Sequence, residues 1–259
     1  MSLRPWDRAS RSPIPVATRR GPELVALPTA LPTVDQLFTF ARDAELRFET
    51  LRLQIEVRAI GARGDQRTLM DVMLRHPGNV RVTTSDPDGG TRGNYSVWLS
   101  DGETVRTFSG VTRVGTSRPV RRRVRGLADR DLPGTSTVYV PVTELENETL
   151  QETFIHPAGF CQNVLATGDC RIAGTAEQNA REVVIVQCHH PRTVEVSEDR
   201  PDHQLEVWFD RETGVISRLI ETIAGQVTRD AVATVLQPDS PLPPNAFTFS
   251  FPSDARMIF

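Results

Sequence analysis

The side chains with the clearest chemical potential are three cysteines and five histidines. Cys188, His189 and His190 are consecutive, and the others considered as ligands are Cys161, Cys170, His156 and His203. Zinc prefers thiolate and imidazole, but closed zinc sites usually show paired C-x₂₋₄-C or H-x₃₋₅-H spacings, which this chain lacks. We therefore predict no metal site and expect Cys188 to end a strand as a small apolar residue. A zinc- or thiol-dependent protein is the weakest of three functional hypotheses.

Cys161 and Cys170 are separated by eight residues in a loop-rich segment. This spacing favours a short disulfide between them, which would require an oxidising compartment. The odd number of cysteines leaves one thiol over in a monomer.

No catalytic motif accompanies these residues. The chain has no phosphate-binding glycine loop, no G-x-S-x-G and no H-E-x-x-H. The carboxylates of Glu195, Glu198, Asp199 and Asp202 lie close to Arg192 and Arg200, as in a solvated, charge-balanced loop. We predict that the protein is not an enzyme and needs no cofactor.

Charge and hydropathy narrow the range of partners. The net charge is −3, and the arginine run 118–125 has no interleaved aromatic residue, so we predict no nucleic-acid partner. No run approaches the roughly 20 apolar residues that span a bilayer, so any membrane association is expected to be peripheral. All 30 basic residues are arginines.

Order is predicted to begin at Thr33. Residues 1–32 are rich in proline and arginine and are expected to be an extended or disordered lead-in. They contain no apolar run with a small-residue cleavage site, so we expect no export signal. Thr33 and Gln36 have the spacing of a capping box, and apolar residues at helical spacing predict an amphipathic helix over 34–48.

The rest of the chain, within a single predicted domain over 33–259, is dominated by strand patterns. Residues 51–60 alternate strictly between apolar and polar, which is typical of a strand with one buried face. Similar segments follow, separated by turn signals at 86–90, 101–102 and 210–214. Nine or ten strand patterns and one helix indicate an antiparallel meander. Residues 110–180 are less regular, with a short strand and a helical stretch expected within 138–154.

Two segments resemble the LolA/LolB-like lipoprotein-carrier superfamily, which includes lipid-binding lipoproteins of the LppX type and sensors of the RseB type. The first is PGNVRVTTSDPDGG followed by YSVWLSDGETVRTFSG (77–90 and 95–110). The second runs from LEVWFDRETG to the proline-flanked F-x-F ending (205–252), in which Phe247, Phe249 and Phe251 are expected to face one way.

The resemblance implies a mainly β fold with few helices: a curved antiparallel half-barrel whose helices cover its open mouth. It implies an apolar groove for a lipid, an acyl chain or a lipoprotein, so the first hypothesis is a carrier or chaperone. The second is a sensor of the RseB kind that binds a partner protein. The family works in the cell envelope, outside the cytoplasm, although no signal peptide or lipobox is visible here. The predicted groove residues are Phe38, Ala41, Leu53, Ile55, Val57, Val82, Val97 and Leu99.

Overall fold

The computed structural model describes residues 24–61, 64–89, 94–120, 142–146, 149–191 and 202–258. The predicted lead-in is therefore described only from residue 24, and the predicted strand near 138–140 lies outside the described residues, as does the carboxylate cluster at 195–199. Residues 24–32 form neither helix nor strand and lie against the domain, because Arg47 donates to the carbonyl of Val25 and Arg211 to those of Pro28 and Ala30.

The predicted capping box starts the first helix. The Thr33 hydroxyl accepts the N–H of Gln36, and the Gln36 side chain accepts the N–H of Thr33. Helix α1 (Val34–Arg42) is shorter than predicted, because the chain tightens into a 3₁₀ turn over Ala44–Leu46. Two short helices, α2 (Leu150–Ile155) and α3 (Pro157–Asn163), follow later in the chain. No helix among the described residues is long and apolar enough to cross a membrane.

Twelve strands within the described ranges form one sheet. Their bounds are β1 Thr50–Ala59, β2 Gln66–Arg75, β3 Asn79–Ser85, β4 Tyr95–Asp101, β5 Thr104–Ser109, β6 Val114–Pro119, β7 Asp169–Gln178, β8 Arg181–His189, β9 His203–Asp210, β10 Ile216–Ile223, β11 Gln226–Pro238 and β12 Arg256–Ile258. The predicted fold class, mainly β with few helices, is confirmed. The sequence patterns do not predict strands in the segments that form β6, β7 and β12.

The sheet consists of two meanders joined along one strand pair. Its order is β12-β6-β5-β4-β3-β2-β1-β11-β10-β9-β8-β7, so β1 pairs with β11 as well as with β2. Every pairing is antiparallel except that of β12 with β6. The sheet does not close, since β7 and β12 are its edges in the described part of the chain. This open sheet fits the half-barrel that the resemblance implied.

Irregular pairing is concentrated in one half of the sheet. The register shifts where β11 meets β1 and β10, where β9 meets β10, and where β7 meets β8. The registers between β2 and β6 are continuous. Bulges bend the strand that carries them and increase its twist, so the bulges favour the strongest curvature around β7–β11.

The helices cover one face of the sheet, which we call the inner face. The C-terminal segment crosses the other, outer face, where Phe249 and Phe251 pack against Phe108 of β5. A Cβ at Gly115 would lie 2.6 Å from the Phe251 ring, so the close approach of this segment requires glycine there. Phe247 does not join the other two phenylalanines, because its ring lies beside the Arg75 guanidinium, 5.1 Å away. The expectation that all three face one way is wrong.

The turn from β9 to β10 is held by a buried carboxylate. Asp210, whose side chain is 1% exposed, accepts two hydrogen bonds from Arg181, at 2.6 and 2.9 Å. It also accepts the N–H and the hydroxyl of Thr213, at 2.8 and 2.6 Å. Gly214 completes the turn at φ +78°, beneath the Phe40 ring of α1. The carboxylate thus fixes both the hairpin and the surface on which α1 rests.

We predict that Asp210→Asn lowers the free energy of unfolding by roughly 2–4 kcal/mol, because it breaks a buried ion pair and weakens the turn. Urea denaturation followed by far-UV circular dichroism measures this loss. The control is Glu212→Gln, which removes a carboxylate that contacts the same arginine at 2.8 Å but is 77% exposed. It should change stability by less than about 0.5 kcal/mol. Equal losses in the two variants would contradict a special role for Asp210.

Candidate functional site: the uncovered part of the inner face

Most of the inner face is filled by the protein's own side chains. Helix α1 contributes Leu37, Phe40 and Ala41, and the later helices contribute Phe154, Ile155 and Cys161 to the same core. These side chains meet the apolar residues of β1, β8, β9 and β10. An apolar sheet face is stable in water only when something covers it, and here the helices do so from β1 across to β8.

The helices cover less of the inner face along β3, β4 and β5. The first inward-facing row, Val80, Ser100 and Val105, is fully buried. In the next row Val82 and Trp98 are buried, whereas Thr107 and Thr116 are half-buried. In the last row, Thr84 and Ser109 are half-buried and Ser96 is exposed. The sheet therefore continues beyond the helices that cover it.

A groove of about 290 Å³ occupies this uncovered region, and we call it the wing groove. Trp98, Val82 and Val114 give it an apolar strip. Hydroxyl groups surround the strip, and those of Thr107 and Thr116 are hydrogen-bonded to each other at 2.7 Å. The remaining lining residues are Thr84, Ser96, Val97, Phe108, Ser109, Thr112, Glu146 and Gln151. The wing groove thus combines the accessible edge of one largely buried indole with many small hydrogen-bonding groups.

The structure separates the eight residues that were predicted to line one apolar groove. Five of them, Phe38, Ala41, Leu53, Ile55 and Val57, belong to the core beneath the helices or pack against it. Val82 is also in that core and borders the wing groove. Val97 and Leu99 point the other way, into the outer-face cluster with Phe108, although Val97 also borders the wing groove.

The placement of Val97 and Leu99 has a simple cause. Side chains alternate along a strand, and Val82 lies opposite Trp98, so Trp98 is the inward-facing residue of β4. The segment YSVWLS is apolar on both faces, because the C-terminal segment covers its outer face. The sequence alone does not identify Trp98 as an inward-facing residue, because both faces of this segment are apolar.

The segment 142–146 forms one side of the wing groove and is anchored by buried polar groups. Glu45, in the turn after α1, accepts the N–H of Val142 at 2.7 Å, and its carboxylate lies 3.2 Å from Nδ1 of His156. Nε2 of the same imidazole is 3.0 Å from the carbonyl oxygen of Thr143. This network joins α1, the α2–α3 junction and the segment 142–146.

A second anchor ties the segment to the sheet. The Thr143 hydroxyl accepts the N–H of Gly78 at 2.8 Å and lies 2.7 Å from Nδ1 of His76. Both partners belong to the turn between β2 and β3. Leu145 is buried in the core, whereas Glu146 is exposed at the rim of the wing groove. The segment therefore presents Glu146 from a fixed backbone.

The cysteines and histidines considered as ligands do not assemble into a metal site. Within the described ranges, no three His, Cys, Asp or Glu side chains are placed to hold a metal ion. All three cysteines are free thiols. Cys188 is buried at the end of β8, as predicted, and its neighbour on β7 is Cys170, whereas Cys161 lies in α3. The disulfide predicted between Cys161 and Cys170 is not formed.

A larger cleft of about 570 Å³ lies between the strand ends and the C-terminal segment. It is bordered by Arg75, three carboxylates and four consecutive residues of the proline-rich turn, Pro241–Pro244. The carboxylate of Asp239 is already used there, because it accepts the N–H groups of Glu49 and Thr50 at 2.7 and 3.2 Å. The aromatic residue that lines this cleft, Phe247, lies beside the Arg75 guanidinium instead of facing inward from the sheet as Trp98 does, so the wing groove is the better candidate site.

No family model matches this chain, and no curated protein matches it in sequence. Solved structures that are similar to it include the Pseudomonas aeruginosa MucA/MucB complex, at TM-score 0.49 and 15% identity, covering 87% of this chain and 63% of that one. The match to a LolA superfamily protein from Nitrosomonas europaea has a TM-score of 0.35 and 12% identity, and it covers 84% of this chain and 98% of that one. The match to the Mycobacterium tuberculosis lipoprotein LppX has a TM-score of 0.40 and 9% identity, and it covers 81% of this chain and 98% of LppX. The chain thus spans less than two thirds of the MucB chain. At these TM-scores the likeness is weak, and the function proposed below rests on the geometry of the wing groove.

Replacing Thr143 with valine should lower the free energy of unfolding by about 1–2 kcal/mol, because the shape is kept while the N–H of Gly78 loses its acceptor. Thr143→Ser retains the hydroxyl and serves as the matched control. Thermal unfolding and amide hydrogen exchange at Gly78 measure the two effects. If the serine and valine variants exchange Gly78 at the same rate, the hydroxyl does not hold the segment.

Proposed function

We propose that this protein is a non-catalytic binding protein that holds a short segment of a partner protein in the wing groove. The observation that carries this proposal is the lining itself: the inward-facing indole of Trp98 is surrounded by the hydroxyls of Thr84, Ser96, Thr107, Ser109 and Thr116. An apolar side chain of the partner would pack against the accessible edge of the indole, which is otherwise buried. The hydroxyls would pair with the partner's backbone N–H and C=O groups.

The size of the wing groove supports a peptide segment over a whole lipid. Its volume of about 290 Å³ is at the lower end of ligand sites, which span roughly 300–1,000 Å³. The residues predicted to line a lipid groove, such as Leu53 and Ile55, are buried under the helices. A long acyl chain would therefore have to displace the core side chains that now cover them. The lipid-carrier hypothesis remains the competing prediction.

The composition of the lining also favours binding over catalysis. Among the residues that the structure describes, no histidine or cysteine borders the wing groove, and the carboxylate on its rim, Glu146, is exposed. An activated nucleophile needs an adjacent base within hydrogen-bond reach. The hydroxyls of Thr107 and Thr116 are instead hydrogen-bonded to each other. These features suit hydrogen bonding to a ligand that is not chemically changed.

Site-specific photo-crosslinking tests this proposal on the full chain. A benzoylphenylalanine replaces Ser96, which is exposed on the inner face, and the protein is irradiated in the cells that make it. We expect a discrete crosslinked protein band from position 96, because the partner segment would lie within reach of the ketone. The matched control replaces Gln237, which is exposed on β11 in the middle of the sheet, and should give no such band.

Competition with a synthetic peptide tests whether the crosslink reports specific binding in the wing groove. A synthetic peptide covering the crosslinked region of the partner should suppress the band from position 96 and should quench or shift the fluorescence of Trp98. Trp98→Phe should weaken peptide binding by roughly tenfold or more, as for a buried aromatic anchor, whereas Trp208→Phe should leave it unchanged. Crosslinking of position 96 to lipid alone, or equal bands from positions 96 and 237, would refute the proposal.

A further inference from the structure

Two of the three cysteines face each other across neighbouring strands. In the register of β7 and β8, Cys170 lies directly opposite Cys188. Their thiols point toward one acceptor, because Sγ of Cys170 and Sγ of Cys188 lie 3.1 and 3.4 Å from the carbonyl oxygen of Leu165. The Cα atoms of directly opposed residues in antiparallel strands are about 4.5–5.5 Å apart, which is within the range that a disulfide spans.

The geometry points to a reversible disulfide: we propose that Cys170 and Cys188 form a redox-active pair that a small-molecule disulfide oxidises, linking the edge strand β7 covalently to β8. Cys170 is half-buried and is the accessible member, whereas Cys188 is fully buried behind it. This pairing differs from the one between Cys161 and Cys170 that sequence spacing suggested.

The exchange takes place in two balanced steps. The thiolate of Cys170 attacks one sulfur of oxidised glutathione, so that a mixed disulfide forms and one glutathione thiolate leaves. The thiolate of Cys188 then attacks the Cys170 sulfur, and the second glutathione leaves. The protein loses two protons and two electrons, and the glutathione disulfide gains them.

The surroundings of the three thiols differ. In the reduced protein, the hydrogen bond from the Cys170 thiol lowers the pKa of Cys188 and raises the pKa of Cys170, which slows the first step. This bond is lost once Cys170 carries glutathione, so resolution depends on the position of Cys188 directly opposite Cys170. Burial raises the pKa of the third thiol, Cys161, in the helix layer, so this thiol is expected to be inert.

The fold can accept the bond without leaving the carbonyl of Leu165 unpaired. Oxidation removes both S–H donors from the carbonyl of Leu165, but the N–H of Gly168 still donates to that oxygen at 3.1 Å. A Cβ at Gly168 would lie 2.6 Å from Sγ of Cys188, so glycine leaves the space that the sulfur occupies. The new bond would close a loop of 17 residues and constrain the unfolded chain.

Peptide mapping of the full-length protein tests the proposal. The reduced protein is incubated with oxidised glutathione, free thiols are alkylated, and the sample is digested with trypsin and Asp-N without reduction. Since the chain has no lysine, these proteases place Cys161, Cys170 and Cys188 in separate peptides, 131–168, 169–171 and 182–192. We expect 169–171 linked to 182–192, and the link should disappear on reduction.

Two variants and a melting measurement complete the test. Cys161→Ala should keep the link and the rise in melting midpoint that accompanies oxidation, whereas Cys170→Ser should lose both. Three outcomes would overturn the proposal: a link between 131–168 and 169–171, a glutathione adduct on Cys170 that never resolves, or three thiols that all remain open to alkylation after oxidation.

Discussion

One apolar face of a wide, open sheet must be kept from water, and the helices are long enough to cover only part of it. Helix α1 has nine residues, and α2 and α3 are shorter. They lie over the half of the sheet that carries the register shifts, where bulges favour curvature around them. The regular half extends past them, and its inward side chains change from valine to serine and threonine. The division of the inner face into a filled core and a partly polar groove follows from this limited coverage.

The polar groups that fix the helices are few and buried. Asp210 holds the hairpin on which α1 rests, and Glu45 joins the end of α1 to the segment 142–146. An unpaired buried carboxylate would be costly, so each of these groups strongly disfavours arrangements that leave it without its partners. Fixing the helix layer also fixes the boundary at which the wing groove begins. Local polar contacts thus determine where a ligand could bind.

Much of the fold could be predicted from sequence because its signals are local. The capping box at Thr33, the alternation in β1 and the turn at Asp210–Gly214 each depend on residues close together in the chain. Strand β6 was missed because Gly115 and Ser117 interrupt its pattern, and β7 because it is an edge strand rich in small and polar residues. The length of α1 was overestimated, since apolar spacing continues through the 3₁₀ turn that follows it.

The candidate site was harder to predict, because alternation shows that a strand has a buried face and does not show what buries it. Leu53 and Ile55 have the same pattern whether helices or a lipid cover them. In β4 both faces are apolar, so the choice between Val97 and Trp98 required the position of the C-terminal segment, more than 140 residues away in sequence. The pairing of Cys170 with Cys188 was hard to predict for a similar reason. Spacing in the sequence favours Cys161 and Cys170, whereas the strand register that places Cys188 opposite Cys170 is visible only in the structure.

Native mass spectrometry of the purified full-length protein tests most directly whether its own side chains fill the inner face. If the helices occupy that face, the folded protein should have the mass of the polypeptide alone, whatever lipids were present during its preparation. A stoichiometric lipid adduct that survives purification and is lost only on unfolding would contradict this account, because the helices would then have to move aside for an acyl ligand.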